Sequence, residues 1–382
     1  MKTILTLILA VVLGCVVGVF ISEAGMEGVL VVKQVCGEVI FFLVPLIILG
    51  FVAPSIASLR GNVSRLILLA FALAYLSSVG AAAFATLTGY ELIPWLNIRP
   101  TDEDARMLPE VLFHLEIPPL MSVMSALLTA VLLGLGVIWT RAEEVETLLT
   151  QFQQIVLQLV RRVLVPVLPI YVAANFCVLG YEGSLSRLKV FLPVILIVIV
   201  GHFLWLALLY GLAALYSGKN SLEVIRHYGS AYLTALGTMS SAATLGVALQ
   251  CAHKSRLLRK ETVNFGIPLF ANIHLCGSVL TETFFVCVVS QLLYGHLPEP
   301  VTMLLFILLL GVFAVGAPGV PGGTVLASLG IVISVLGFDD AGTAMLIAIF
   351  ALQDSFGTAC NVTGDGALTL ILDTWSRRRG KA

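Results

Sequence analysis

Six runs without a charged residue, each about as long as a bilayer is thick, constrain this chain more than any other feature of its sequence. They occupy residues 3–22, 39–59, 66–90, 117–140, 163–181 and 190–218. About 20 apolar residues in a helix cross a hydrocarbon core of about 30 Å, so each run predicts one membrane-spanning helix. The runs therefore predict an all-α polytopic membrane protein.

The composition agrees with a membrane protein and excludes other classes. Of the 382 residues, 59% are hydrophobic and 11% charged, and the mean hydropathy is +1.04, which is too apolar for a soluble domain. A net charge of −1 with dispersed basic residues argues against a nucleic-acid partner. The seven cysteines form no CxxC pair, so no disulfide framework or zinc site is predicted. The first run is too long for the apolar core of a signal peptide, and we expect it to be a retained span.

The last third of the chain contains two apolar segments that are interrupted by polar or Gly/Pro-rich residues. Residues 227–253 are interrupted by TMSSAAT, and residues 300–338 by GAPGVPGG. The roughly 15 residues on either side of the second interruption extend only about 23 Å as helix, so we expect re-entrant helical hairpins. Each hairpin precedes a longer helix with polar residues at mid-depth. These two helices complete eight spans, and the repeated unit is typical of the inverted repeats of secondary transporters.

The charge distribution predicts the orientation of these spans. With the N-terminus in the cytoplasm and both hairpins returning to their own side, most of the 21 Lys and Arg residues fall on the cytoplasmic side. The acidic loops around Asp102–Asp104 and Asp339–Asp340 fall on the opposite side. We expect a multi-pass protein of the plasma (inner) membrane with both termini in the cytoplasm.

A polar stripe in the last apolar segment is the strongest candidate for a functional site. Asp354, Thr358, Asn361 and Asp365 are spaced so that they share one face of a helix, at a depth where ionisable groups are costly. Gly357 and Gly364 are expected to loosen the same turns and to expose backbone carbonyls. The alternative is a seam of hydrogen bonds between helices.

The two hairpin tips are candidate anion sites, because the N-terminus of a broken helix leaves amide N–H groups unpaired. Ser240 and Ser241 lie at the first tip, and Val320 to Gly323 lie at the second. A substrate carboxylate is the expected ligand. The alternative is that the Gly and Pro residues only close a loop.

Three motifs carry a resemblance to a known family. The segments TMSSAATL, AVGAPGVPGG and DSFGTACNVTGD occur in that order. They resemble the dicarboxylate/amino acid:cation symporter family, which has the glutamate-transporter fold, over the chain from about residue 150 onward. The resemblance implies a homotrimer that works by an elevator mechanism. Residues 1–218 would be mostly scaffold, with spans 3 and 6 in the moving domain, and residues 219–382 would be the transport core.

The resemblance also implies a role for each residue of the motifs. Asp354 would bind the substrate amine, Thr358 and Asn361 its polar groups, and Asp365 a coupling cation. Asn361 is a second cation candidate, and Asp365 would be a metal ligand only if the cation is Na⁺. The residues expected to hold the α-carboxylate are Ser240, Ser241, Val320 and Gly322.

Departures from the family pattern bear on the substrate and on the cation. Family members with acidic substrates have an arginine where this chain has Met239 or Gly357, so Gly357 is expected to leave room for a neutral side chain. The family sequence N-M-D-G-T is replaced by His274 to Ser278, which puts imidazole and thiol where oxygen ligands of Na⁺ would be. His274, with an ordinary pKa near 6.5, or Glu282 is then a candidate proton carrier. A neutral packing role for His274, or snorkelling of Glu282, is the alternative.

The sequence therefore predicts a secondary transporter without a cofactor, and no enzyme. The main hypothesis is symport of a small neutral amino acid with H⁺. The alternative is Na⁺-coupled symport of a dicarboxylate or acidic amino acid. A remote alternative is an intramembrane hydrolase using Ser240 or Ser241, His274 and Asp354, but GxSxG and HExxH motifs are missing. A channel would need a ring of charges or a TVGYG-like filter.

Overall fold

The computed structural model describes residues 2–57, 64–96, 108–109, 115–183, 191–317 and 322–379. In these ranges all regular elements are helical. The α-helices are α1 Lys2–Phe20, α2 Glu23–Ala57, α3 Ser64–Leu92, α4 Val123–Thr140, α5 Glu143–Leu159, α6 Val165–Tyr181, α7 Phe191–Ser217, α8 Leu222–Ile225, α9 Gly229–Thr238, α10 Ser241–His253, α11 Lys260–Ile273, α12 Cys276–Tyr294, α13 Pro300–Gly316, α14 Gly323–Ser334 and α15 Asp340–Arg379. A π-helical turn, Val160–Leu164, joins α5 to α6.

The described helices confirm a multi-pass, all-α protein. Six of them, counting α5–α6 and α11–α12 as one each, are long and apolar enough to cross a membrane, and shorter apolar helices occur in α1, α4, α13 and α14. The fourth run begins later than its charge-free sequence predicts, because Pro118 and Pro119 lack the amide hydrogens of a helix. The Ser122 side chain then caps α4 by accepting from the Ser125 N–H at 3.2 Å.

Two pairs of short helices form the predicted hairpins, α9–α10 as hairpin 1 and α13–α14 as hairpin 2. Helices α9 and α10 contain 10 and 13 residues and pack against each other, and α13 and α14 contain 17 and 12 and do the same. The first tip turns at Met239, whose φ of 52° lies in the left-handed region. Entry of these pairs into the membrane from opposite sides stays a prediction.

Helix α15 lies at the centre of the helices that follow α6. It packs against α7, α9, α11 and α12, and α12 in turn packs against α3. Among the N-terminal helices, α1 packs on α6, and α2 packs on α4, α5 and α6; α2 also contacts α13 and α14, and α1 and α6 also contact α15. The division into a scaffold and a transport core that includes spans 3 and 6 stays a prediction.

The position of the helix break differs from the sequence prediction. Helix α15 runs without interruption through Gly357 and Gly364, whereas the preceding span is broken at His274 and Leu275, between α11 and α12. The two glycines of α15 lie at close helix contacts: a Cβ on Gly364 would be 3.0 Å from His274 Cε1. They permit close approach and do not loosen the helix.

Candidate functional site

The predicted polar stripe faces the protein interior on one helix. Asp354, Thr358, Asn361 and Asp365 are all on α15, and none is more than 5% exposed. With a rise of about 1.5 Å per residue, the two carboxylates are separated by about 16 Å along the axis. The stripe therefore forms a set of contacts at different depths and not one compact cluster.

Asp354 caps the second helix of hairpin 2. Its Oδ2 accepts a hydrogen bond from the Gly322 N–H at 2.7 Å, and Gly322 precedes α14 with a φ of 73°. A carboxylate is favoured there by the unpaired amides and the helix dipole. The amide of Gly322 can therefore bind a carboxylate, as predicted for the substrate, and in this structure the carboxylate is Asp354. Val320 lies outside the described residues.

The tip of hairpin 1 is also capped by its own side chain. Ser240 Oγ accepts from the Ala243 N–H at 3.3 Å, and Ser241 is the buried first residue of α10. Met239, one of the two positions at which an arginine would indicate an acidic substrate, is buried as well. The predicted substrate roles of Ser240 and Ser241 stay predictions.

Asn361 joins α15 to the start of α12. Its Oδ1 accepts from the N–H groups of Gly277 at 2.7 Å and Ser278 at 3.2 Å, and its Nδ2 donates to Ser278 Oγ at 2.9 Å. The Asn361 side chain thus supplies the cap that Leu275, the residue before α12, does not. At Asn361 the polar stripe therefore forms hydrogen bonds between two helices, which was the alternative to a binding site.

Gly357 and Gly277 form a close contact between α15 and α12. A Cβ on Gly277 would be 2.4 Å from the Gly357 carbonyl oxygen, and one on Gly357 would be 3.2 Å from Ser278 Cα. This differs from the expectation that Gly357 leaves space for a substrate side chain, because backbone atoms of α12 already fill that space.

Asp365, His274 and Ser77 form a buried hydrogen-bonded chain across three helical segments. His274 Nδ1 lies 2.8 Å from Asp365 Oδ1, and His274 Nε2 lies 2.9 Å from Ser77 Oγ on α3. An ionised carboxylate only accepts, so Nδ1 is the donor to Asp365. The break between α11 and α12 places the imidazole there, with extended backbone at His274. Asp365 Oδ2 has no hydrogen-bond partner in the described part of the chain.

A second buried histidine, which the sequence analysis did not single out, supports the same break. His202 Nε2 on α7 lies 3.0 Å from the Gly277 carbonyl oxygen and 2.9 Å from Thr281 Oγ1. The Thr281 hydroxyl also donates to that carbonyl at 3.0 Å. Both donors hold the carbonyl at the first turn of α12. The only sequence signal was a single histidine in an otherwise apolar run.

Glu282 is fully buried, in contact with hairpin 2. Its Oε1 accepts a hydrogen bond from Ser328 on α14, and its Oε2 lacks a partner among the residues that the structure describes. Glu282 therefore links α12 to α14, at a place separate from the Asp365–His274 contact.

Comparisons with known proteins agree with this architecture. The chain matches the model of the sodium:dicarboxylate symporter family over residues 4–375, which is nearly its whole length. The chain belongs to this family. This confirms the resemblance inferred from the three motifs.

Several relatives are similar over part of their length. Excitatory amino acid transporter 3 of Homo sapiens is 32% identical over 161 residues, which are 42% of this chain and 30% of that protein. Excitatory amino acid transporter 2 of Mus musculus is 23% identical over 242 residues, 61% of this chain and 41% of that protein. A putative sodium-dependent excitatory amino acid transporter of Caenorhabditis elegans is 27% identical over 158 residues. Each match spans less than half of the relative.

Proposed function

We propose that this chain is a secondary transporter that moves a small amino acid or dicarboxylate across a membrane together with a cation. The observation that carries the proposal is the buried stripe of α15. At one depth its carboxylate Asp354 contacts the tip of hairpin 2, and at another its carboxylate Asp365 contacts the helix break at His274. Buried ionisable groups at broken helices are typical of substrate and ion sites in secondary transporters.

The family and the relatives favour an acidic substrate and sodium. The description of the family names sodium and dicarboxylates, and the relatives are named excitatory amino acid transporters. These comparisons support the alternative of the sequence analysis better than its main hypothesis of a neutral amino acid and H⁺. In this proposal Asp354 binds the substrate amine, Thr358 and Asn361 bind its polar groups, and the two hairpin tips bind its carboxylate.

A neutral amino acid is kept as the second candidate because of one specific observation. No Lys or Arg occurs between Lys260 and Arg377, the range that contains α12, hairpin 2 and the stripe of α15. A second substrate carboxylate would be buried near Asp354 without a counter-charge from this range, at a cost of several kcal/mol. A neutral side chain has no such cost.

Uptake by the purified protein in proteoliposomes tests both candidates. Aspartate, glutamate, small dicarboxylates and neutral amino acids are offered separately, under an inward Na⁺ gradient or an inward pH gradient. The proposal expects saturable uptake of at least one compound that depends on a gradient. Acidic compounds driven by Na⁺ would support the first candidate, and neutral ones the second. No gradient-dependent uptake of any compound would refute the proposal.

The assembly is proposed on the same basis. We propose a homotrimer in the plasma membrane with both termini in the cytoplasm, in which residues 219–382 move with spans 3 and 6 against the remaining scaffold in an elevator mechanism. Cysteine cross-linking of α2 to α13, which contact each other in this structure, tests the motion. A cross-link that leaves the rate of substrate exchange across the membrane unchanged would contradict the elevator mechanism.

A further inference from the structure

The atoms beside Asp365 determine whether a sodium ion could be bound there. Hard cations take several oxygen ligands, whereas imidazole and thiol suit softer metals. His274 contacts that carboxylate directly, and Cys276 lies against the neighbouring Gly364. A Cβ on Gly364 would lie 3.0 Å from His274 Cε1 and 3.4 Å from Cys276 Sγ, so ring and thiol lie together against the residue before Asp365.

Four oxygen atoms at the break already have hydrogen-bond partners. Asp365 Oδ1 accepts from His274, and Ser77 Oγ contacts the other nitrogen of the same ring. Asn361 Oδ1 accepts from two amides of α12. The Gly277 carbonyl oxygen accepts from His202 and Thr281. Among these groups only Asp365 Oδ2 is without a partner in the described residues, and one oxygen does not make a sodium site.

The donor set is therefore a poor fit for sodium. Of the side chains at this position, imidazole and thiol offer no oxygen ligand, and Asp365 offers one free oxygen in the described residues. The imidazole instead supplies a hydrogen-bond donor directly to the carboxylate, and Ser77 fixes the ring from the other side.

We propose that the Ser77–His274 pair takes the position beside Asp365 that a coupling sodium ion would need, so that this position binds no sodium. The inference rests on the proposed function only in treating Asp365 as the carboxylate of the coupling site. Any sodium that drives transport must then bind elsewhere in the chain.

The test measures the thermal midpoint of the purified full-length protein in NaCl and in choline chloride at equal ionic strength. A ligand that binds only the folded state raises this midpoint. We expect no sodium-specific shift in the wild type. A sodium-specific shift that survives in Asp365→Asn, or in Asp365→Ser if the first variant does not fold, also supports the proposal, because the ion then binds away from Asp365. A shift in the wild type that is lost in these variants would overturn it.

A gain-of-function variant tests the same idea from the other direction. Replacing the two unsuitable groups by oxygen ligands, as in His274→Asn/Cys276→Asp, is expected to create a sodium-specific shift that Asp365→Asn then removes. His202→Asn is the matched control, because it removes a buried imidazole that contacts Gly277 and not Asp365. The wild-type comparison decides the proposal even if the double variant does not fold. Transport is not measured here, so failure of the uptake experiment would refute the proposed function and leave this result intact.

Discussion

The contact between Gly277 and Gly357 gives the sharpest prediction about stability. In Gly277→Ala the new methyl group would lie 2.4 Å from the Gly357 carbonyl oxygen and 2.5 Å from Cys360 Cβ. Ordinary contacts of this kind begin near 3.4 Å, so α12 and α15 must separate by about 1 Å. Neither obstructing atom moves aside by a side-chain rotation, because one is backbone and the other is a Cβ.

The expected magnitude follows from two opposing effects. Overpacking a well-packed interior costs about 1–3 kcal/mol and occasionally more. Replacing Gly by Ala inside a helix stabilises the folded state by about 0.5–1 kcal/mol. The difference is a loss of up to about 2.5 kcal/mol in the free energy of unfolding, and because neither obstructing atom can rotate away we expect Gly277→Ala to lie in the upper half of that range. The separation would also stretch the hydrogen bonds from Asn361 to Gly277 and Ser278, so uptake should decrease together with stability.

Gly246 provides a matched control for this substitution. It lies in the middle of α10, and a Cβ there would meet no atom within 4 Å. Gly246→Ala should leave stability unchanged or raise it by up to about 1 kcal/mol. Thermal midpoints of the two variants and the wild type, measured in the same detergent, give the comparison. Equal midpoints for Gly277→Ala and Gly246→Ala would show that α12 and α15 are not packed as closely as described.

Three further predictions concern single side chains. Asp354→Asn should abolish uptake while the protein stays folded, because a neutral amide no longer attracts a substrate amine; near wild-type uptake would disprove that role. Ser77→Ala should cost about 1 kcal/mol and lower uptake, whereas Ser78→Ala removes a buried hydroxyl that has no partner in the described residues and should be nearly neutral; the reverse order would contradict the hydrogen bond to His274. Glu223, on α8, is partly buried, which by itself raises the pKa of its carboxyl. Hydrogen bonds from Ser255 and from the Arg256 N–H outweigh this effect and hold that pKa below its ordinary value of 4.5. A carboxyl whose pKa is lower in the folded than in the unfolded state stabilises the fold above the unfolded pKa, and this stabilisation is lost as the pH falls through the folded pKa. The wild type should therefore be more stable than Glu223→Gln at neutral pH and lose this advantage below about pH 4.5. A difference in stability that stays constant down to pH 3 would contradict this.

Hydrophobic runs and spacing were sufficient to predict the class of fold. Each charge-free run contains a helical segment, TMSSAAT and GAPGVPGG each lie at the junction of the two helices of a pair, and the stripe from Asp354 to Asp365 lies on one buried face. Each of these features is local, because it depends on the period of a helix or on the length needed to cross a bilayer.

Contacts between distant residues could not be predicted in the same way. Ser77 is 197 residues from His274, and nothing in the pattern of either segment pairs them. The signal that existed was a Ser-Ser pair in an otherwise apolar span. Glycine was ambiguous for a related reason: Gly357 permits either a flexible turn or a close helix contact, and only the position of Ser278 decides between them.

The unbroken course of α15 fixes the spacing between the two depths of the proposed site. Asp354, Asn361 and Asp365 are separated by seven and four residues, which fixes axial intervals of about 10 and 6 Å on one rod. Helix α15 is continuous over its 40 residues, so these axial intervals hold as long as it stays helical. The contacts that link the two depths across helices run through α12, which binds Asn361 of α15 at its start and Ser328 of α14 through Glu282.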